Sequence, residues 1–458
     1  MMENKMGTEP IRELLIKMSL PLMISLLISN LYNLIDSMYV SSLGESALSA
    51  VSLSAPIMMM MAAFGSGNAI GLNAVLSKAL GENNPEKVKK AIRTSLFLSL
   101  ASYIVIVTSR LVIVEPYFSS QTSDLEIIRQ GTEYLNTVMF LAFGVMFQWV
   151  LERLLISTGK THLFMITLSS GAIINIILDP VFIFGVPALG IPALGVQGAA
   201  VATVFGQTFS ASLALYFNYK YNKEIEMKFS LVPDWNTFIE ILKTGVPTAF
   251  MQGFVSVVTM GINMILITFS TTAVAIYGVV LRVLNMILIM PHGIGLGVIP
   301  IVAYNYGAQK RNRVKEAIKF SVIFSVLVGV IGTIVLSIIP SFMLGMFNPT
   351  DEMKTIGITA IRLLSITLPL AGVSIVLSSF FQGIGLAKYS MYLSLTRQII
   401  LLLPIVFLLS LTKILPLVWI GFSVAEGLAL IFGYILYKRS YRDVLMKIQE
   451  DTVEEYCI

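Results

Sequence analysis

The chain has 458 residues, 56% of them hydrophobic and only 12% charged, with a mean hydropathy of +0.83 and a formal net charge of +5. Soluble domains average about a quarter charged residues, so a water-soluble fold of this length would expose too much apolar surface. The apolar runs are continuous rather than alternating, which excludes a transmembrane β-barrel. A single cysteine, the penultimate Cys457, allows neither an intrachain disulfide nor prenylation, and two histidines leave no zinc or iron ligand set.

Twelve apolar stretches follow in chain order, near residues 17–40, 53–77, 94–114, 134–156, 162–184, 195–219, 241–268, 273–303, 318–340, 357–379, 390–411 and 415–437. Each approaches or passes the roughly 20 residues that a helix needs to cross a bilayer. The first is too long for a signal-peptide core and lacks a small-residue cleavage motif, so we read it as span one. The expected fold class is all-α integral membrane, with twelve transmembrane helices in two pseudo-symmetric six-helix bundles.

The basic residues orient these spans. With the N-terminus cytoplasmic, 24 Lys and Arg fall in the termini and the even-numbered loops, including Lys87, Lys89, Lys90, Lys310, Arg311 and Arg313. Only Arg110, Arg129, Lys354 and Lys413 fall on the other side. That asymmetry places both termini inside, in a cell (inner) membrane. The positive charge is thus a topology signal, and no nucleic-acid partner is expected.

An internal repeat appears at an offset of 226: Gly81–Ile92 aligns with Gly307–Ile318, and Pro21, Gly67 and Gly71 align with Pro247, Gly293 and Gly297. Pro180 pairs with Pro404 at an offset of 224. Residues 1–219 are read as an N-lobe of spans one to six and 241–437 as a C-lobe of spans seven to twelve. A cytoplasmic linker at 220–240 joins them, and 438–458 form a cytoplasmic tail. Transporters place substrate sites between such repeats.

Ionisable residues inside spans cost roughly 2.5–3.5 kcal/mol each on insertion scales and so mark function by default. They are Asp36, Asp179, Arg282, Arg362, Arg397 and Glu426, with Glu152 at the end of span four, where a solvated face is expected. Asn33, Asp36 and Tyr39 share one face of span one at i±3 spacing, and Pro21 breaks the helix ladder below them. Asp179 carries Asn175 at i−4, and Pro180 frees a backbone carbonyl beside it. The two acids suit a site for a proton or sodium ion; a purely local structural role is the other reading. The second-half arginines and Glu426 suit either a helix-locking pair or a substrate contact. Met58 to Met61, including Met61 itself, suit a pliable lining for varied hydrophobic ligands or plain packing. No Gly-Lys-Ser/Thr follows Gly65, Gly67 and Gly71 at phosphate-loop spacing, so they form no phosphate loop, and ATP is not expected to drive this chain directly. No enzyme motif is present.

Four segments carry a family resemblance: Leu34-Ile-Asp-Ser-Met-Tyr-Val-Ser-Ser-Leu-Gly44, Asn175-Ile-Ile-Leu-Asp-Pro-Val-Phe-Ile-Phe-Gly185, Gly198-Ala-Ala-Val-Ala-Thr203 and Tyr304-Asn-Tyr-Gly-Ala308. The chain resembles the multidrug and toxic compound extrusion (MATE) family over nearly its whole length. The resemblance implies an N-lobe cation site at Asp36, Asn175, Asp179 and Thr203, with span one bending at Pro21. Where some members carry acids in spans seven and ten, this chain offers Gln252 and Arg362, so no C-lobe cation site is expected. The implied function is a cation-coupled antiporter, driven by Na+ or H+ and needing no other cofactor. It exports organic cations or other amphipathic drugs by alternating access. The expected partners are small drug-like molecules and the lipid bilayer, with the protein acting as a monomer. A lipid-linked-precursor flippase of the same superfamily is the alternative.

Overall fold

The computed structural model describes residues 4–226, 232–347 and 349–447. Part of the expected linker (227–231) and most of the expected tail (448–458, with Cys457) lie outside the described residues. Ten helices are long and apolar enough to cross a membrane, and two bent pairs bring the spans to twelve if each pair counts as one. Spans one to three are Ile11–Ser41, Glu45–Gly81 and Pro85–Gln121. Span four is the pair Leu125–Phe140 and Phe143–Ser157, bent by 49°. Spans five to nine are Thr161–Phe184, Val196–Tyr221, Trp235–Leu266, Thr271–Gly307 and Arg311–Ile338. Span ten is the pair Asp351–Ser365 and Thr367–Gly383, bent by 44°. Spans eleven and twelve are Ala387–Ser410 and Leu415–Asp443. Each coincides with one of the twelve apolar stretches.

Helices are the form an apolar stretch takes in lipid, because each satisfies its own backbone. Their starts are set by caps. Asn84 accepts from the Lys87 N–H with Pro85 at the first turn, Asp124 accepts from Glu126 and Ile127, and Ser270 accepts from Ala273. Spans two, three and eight run 37 residues. At 1.5 Å per residue that is about 55 Å, well past the ~30 Å hydrocarbon core, so each is longer than the core alone requires.

The repeat is visible in the backbone. Asn83 and Gln309, 226 residues apart, both turn through positive φ, at 51° and 60°. Gly159 and Gly385, again 226 apart, both have φ 79°. The bends of spans four and ten also recur at equivalent places. Pro369 accounts for the second: it cannot donate to the Ser365 carbonyl, and its ring crowds that oxygen. Span four bends at Leu141–Ala142 without a proline.

The described residues divide into two compact units. The N-unit comprises residues 24–80 and 84–245; the C-unit comprises the chain up to 23, residues 81–83 and the chain from 246. The helices of spans one and seven therefore each serve both units. In the N-unit, the start of span seven packs on span two, where a Cβ on Gly71 would meet the Ile241 carbonyl and one on Gly67's partner Gly245 would meet the Gly67 carbonyl. In the C-unit the start of span one packs on the equivalent glycines of span eight, one helical turn further along, Gly293 on Met23 and Gly297 on Ser19. Polar clasps hold these starts. Arg313 donates to the Glu9 carbonyl at 2.7 Å and Asn305 to the Met6 carbonyl at 2.9 Å in the C-unit. Lys90 pairs with Asp234 at 3.2 Å and Lys87 with Glu240 at 3.1 Å in the N-unit.

Candidate functional site

The site grows from the contact of spans five and six in the N-unit. Gly171 and Gly206 meet backbone to backbone: a Cβ on either would lie 2.6 Å from the other's carbonyl oxygen. Gly198 lies as close to the Phe182 carbonyl. Small residues here let the two helices touch, and that contact brings Asn175 against Thr203. The Asn175 Nδ2 donates to Thr203 Oγ1 at 3.4 Å and to Asp179 Oδ1 at 3.3 Å. Asn175, Asp179 and Thr203 are all buried.

Span one supplies the fourth group. Asp36 is half-buried, and its carboxyl lies within hydrogen-bonding reach of Asp179. All four residues implied by the family resemblance thus converge. Three of their oxygens, Asp36 Oδ1, Asn175 Oδ1 and Asp179 Oδ2, are buried and accept no hydrogen bond. Buried polar atoms are normally partnered. Two ionised carboxyl groups this close also repel. A shared proton, or a hard cation that takes oxygen ligands, answers both requirements.

Two tyrosines stand near this cluster. Tyr32 and Tyr134 lie within electrostatic range of both Asp36 and Asp179, and Tyr134 is also directed at Met58 Sδ, 3.7 Å away. The sequence reading missed both. Tyr32 had a usable signal, standing at i−4 from Asp36 on the same helical face. Tyr134 comes from span four and has none.

The remaining candidates sit elsewhere. Asn33 is exposed and donates back to the Ser29 carbonyl at 2.8 Å. Tyr39 is half-buried and packs with the N-unit core that contains Met61, itself buried. Of the methionine run, Met58 and Met61 turn inward, whereas Met59 and Met60 are exposed. Pro21, Gln252 and Arg282 belong to the C-unit; Pro21 is half-buried inside the span-one helix, and the other two are exposed. Arg362 is exposed and donates to the Ser337 carbonyl. Arg397 forms an ion pair with Glu426 at 3.5 Å. Glu152 corrects the expectation of a solvated face: it is buried, and its Oε1 accepts from Gln148 and Thr167. Its helix end is covered by spans five and six, which local sequence could not reveal.

Comparison with known proteins places this arrangement. The MatE family model matches residues 21–181 and 247–408, one segment in each half. The multidrug export protein MepA of Staphylococcus haemolyticus is 26% identical over 427 residues, covering 92% of this chain and 93% of that protein. MepA of Staphylococcus aureus is 24% identical over 442 residues, covering 94% and 95%. Among solved structures, the outward-facing conformation of a multidrug resistance MATE family transporter of the MOP superfamily aligns with a TM-score of 0.90 at 24% identity, over 98% of this chain and 99% of that one. A MOP superfamily transporter from Pyrococcus furiosus, described as having a reversed-polarity binding pocket, aligns with a TM-score of 0.88 at 24% identity, over 96% and 98%. A twelve-span helical fold shared end to end with these transporters, and a family model matched in both halves, make this multi-pass membrane protein a member of the MatE family.

Proposed function

We propose that the protein is a cation-coupled antiporter that exports organic cations or other amphipathic drugs by alternating access, with Asp36, Asn175, Asp179 and Thr203 binding the coupling Na+ or H+. The observation that carries this reading is the close Asp36–Asp179 pair beside three buried oxygens that lack donors. Drug export is the role the MepA relatives are named for, and it fits a chain whose Gly159-Lys160-Thr161 lacks the glycine, five positions earlier, that a phosphate loop needs to power transport by ATP. One charge moving down 100 mV supplies about 2.3 kcal/mol, enough for roughly a 50-fold gradient of a neutral substrate. The basic asymmetry supports a cell-membrane location with both termini cytoplasmic and the 220–240 linker on the same side.

The test is drug efflux from proteoliposomes with sodium and proton gradients imposed separately. Efflux that follows at least one gradient, and disappears in Asp36→Asn, agrees with the proposal. Efflux indifferent to both gradients overturns the coupling.

A further inference from the structure

The internal repeat assigns each residue of the N-unit site a counterpart in the C-unit. Asp36 maps to Ile262 at the offset of 226, and Asn175 and Asp179 map to Ile399 and Leu403 at 224. All three counterparts are apolar and join one C-unit core: Ile262 is buried, and Ile399 and Leu403 pack against it. Spans seven and eleven meet at this place, where a Cβ on Gly261 would touch Leu403.

Thr203 has a different counterpart. Gly198-Ala-Ala-Val-Ala-Thr203 aligns with Gly421-Phe-Ser-Val-Ala-Glu426 at an offset of 223. Packing supports the register. Gly198 faces Phe182 and Ile183 of span five, and Gly421 faces Leu409, Val406 and Ile405 of span eleven, on the same side of Pro180 and Pro404 respectively. An acid therefore stands where the N-unit has a hydroxyl.

That acid is held from two other spans. Ser374 of span ten donates to Glu426 Oε1 at 2.6 Å, and Arg397 Nη1 of span eleven lies 3.5 Å from the same oxygen. The side chains of Arg397 and Glu426 are 24% and 12% exposed. Arg397 stands in a π-helical stretch, Thr396–Leu402, which ends just before Pro404. Such stretches are rare and cluster at functional positions. His292 of span eight lies within electrostatic range of Arg397, and its Nδ1 donates to the Leu288 carbonyl at 2.7 Å. Glu426 and Arg397 are the charged pair here, and His292 is a further titratable group near them.

We propose that Arg397 is a tethered cation that fills the C-unit counterpart of the ion site, so that Glu426 and Ser374 form a latent site for a small monovalent cation. The inference rests on reading the N-unit cluster as the ion site. A guanidinium keeps its charge at all physiological pH values and cannot leave. The acid it neutralises therefore does not follow the ion gradient, and the coupling is left to the N-unit alone. Removing the guanidinium leaves a carboxylate in an apolar span, where it must take up a proton or a metal cation.

The test uses the purified full-length protein and two readouts, equilibrium binding of radioactive sodium and proton uptake on acidification. Arg397→Gln is expected to gain about one equivalent over wild type in one readout; Arg397→Lys is expected to match wild type, and Arg397→Gln/Glu426→Gln to lose the gain. A folded Arg397→Gln protein with wild-type stoichiometry in both readouts overturns the proposal. Where Arg397→Gln does not fold, Arg397→Met/Glu426→Met decides, since replacing both members of a buried pair is tolerated. Unchanged stoichiometry there agrees, and loss of an equivalent overturns. Asp36→Asn separates the two readings: if it keeps the wild-type equivalent, the N-unit assignment fails whatever Arg397→Gln shows.

Discussion

At the residue scale, the proposed coupling rests on two carboxyl groups that share a cluster. Asp36→Asn keeps the shape of the side chain and removes the charge that a cation or proton would meet. We expect it to reduce coupled efflux by at least about tenfold, or 1.4 kcal/mol, while the purified protein keeps its Tm. Gradient-driven transport at the wild-type rate would contradict this. Thr203→Val removes one neutral oxygen and leaves the acids, so it should weaken apparent ion affinity by several-fold and spare the maximal rate, read from efflux at graded sodium or proton concentration. Asp36 and Asp179 were legible from sequence because a charge inside an apolar span has no other explanation as economical. Tyr32 stands on the Asp36 face and was legible with it, whereas Tyr134 was not, because tyrosine is unremarkable in a membrane helix until its neighbours are known. The inward or outward direction of Met58 to Met61 was equally hidden, since it depends on which face the span packs.

At the element scale, close helix contact and caps decide where those residues stand. Gly206 touches the Gly171 carbonyl directly, so Gly206→Val must push span six off span five. We expect a loss of about 1–3 kcal/mol, seen as a lower Tm, together with weakened ion binding, because Asn175 and Thr203 would separate. A variant with wild-type Tm and ion affinity would refute the contact. The start of span seven offers a pH test outside the membrane. The Thr237 backbone N–H and hydroxyl, with Lys90 beyond, hold the Asp234 carboxyl down at about 2. An acid depressed in the folded state adds stability that is present above its ordinary pKa of roughly 3.9 and is lost as pH falls toward 2. Amide exchange at Thr237 and Phe238 should therefore speed up as pH drops through that window, after correction for intrinsic rates. In Asp234→Ala it should already be fast at neutral pH, consistent with a lost cap of about 1 kcal/mol. The caps at Asn84 and Asp124 follow ordinary start signals and could be read from sequence. The bend in span ten has a visible cause in Pro369, whereas that in span four has none in its own residues.

At the scale of the whole molecule, topology is the first thing to check. In a background with Cys457→Ser, a cysteine at exposed Lys223 should react with an impermeant reagent only after the cells are opened. Labelling from outside intact cells would reverse the assigned orientation. The number of spans, their approximate edges, the two-fold repeat and the asymmetry of basic residues all came from the sequence by itself. Each depends on local composition or on a comparison of the chain with itself, and the bilayer imposes a length that composition can be measured against. The convergence of Asp36 on Asp179, the burial of Glu152, the sharing of spans one and seven between units, and the pairing of Arg397 with Glu426 were decided only by the tertiary structure. These depend on which helix faces meet, and residues more than a hundred positions apart are brought together by glycine contacts and bends whose direction no local pattern encodes.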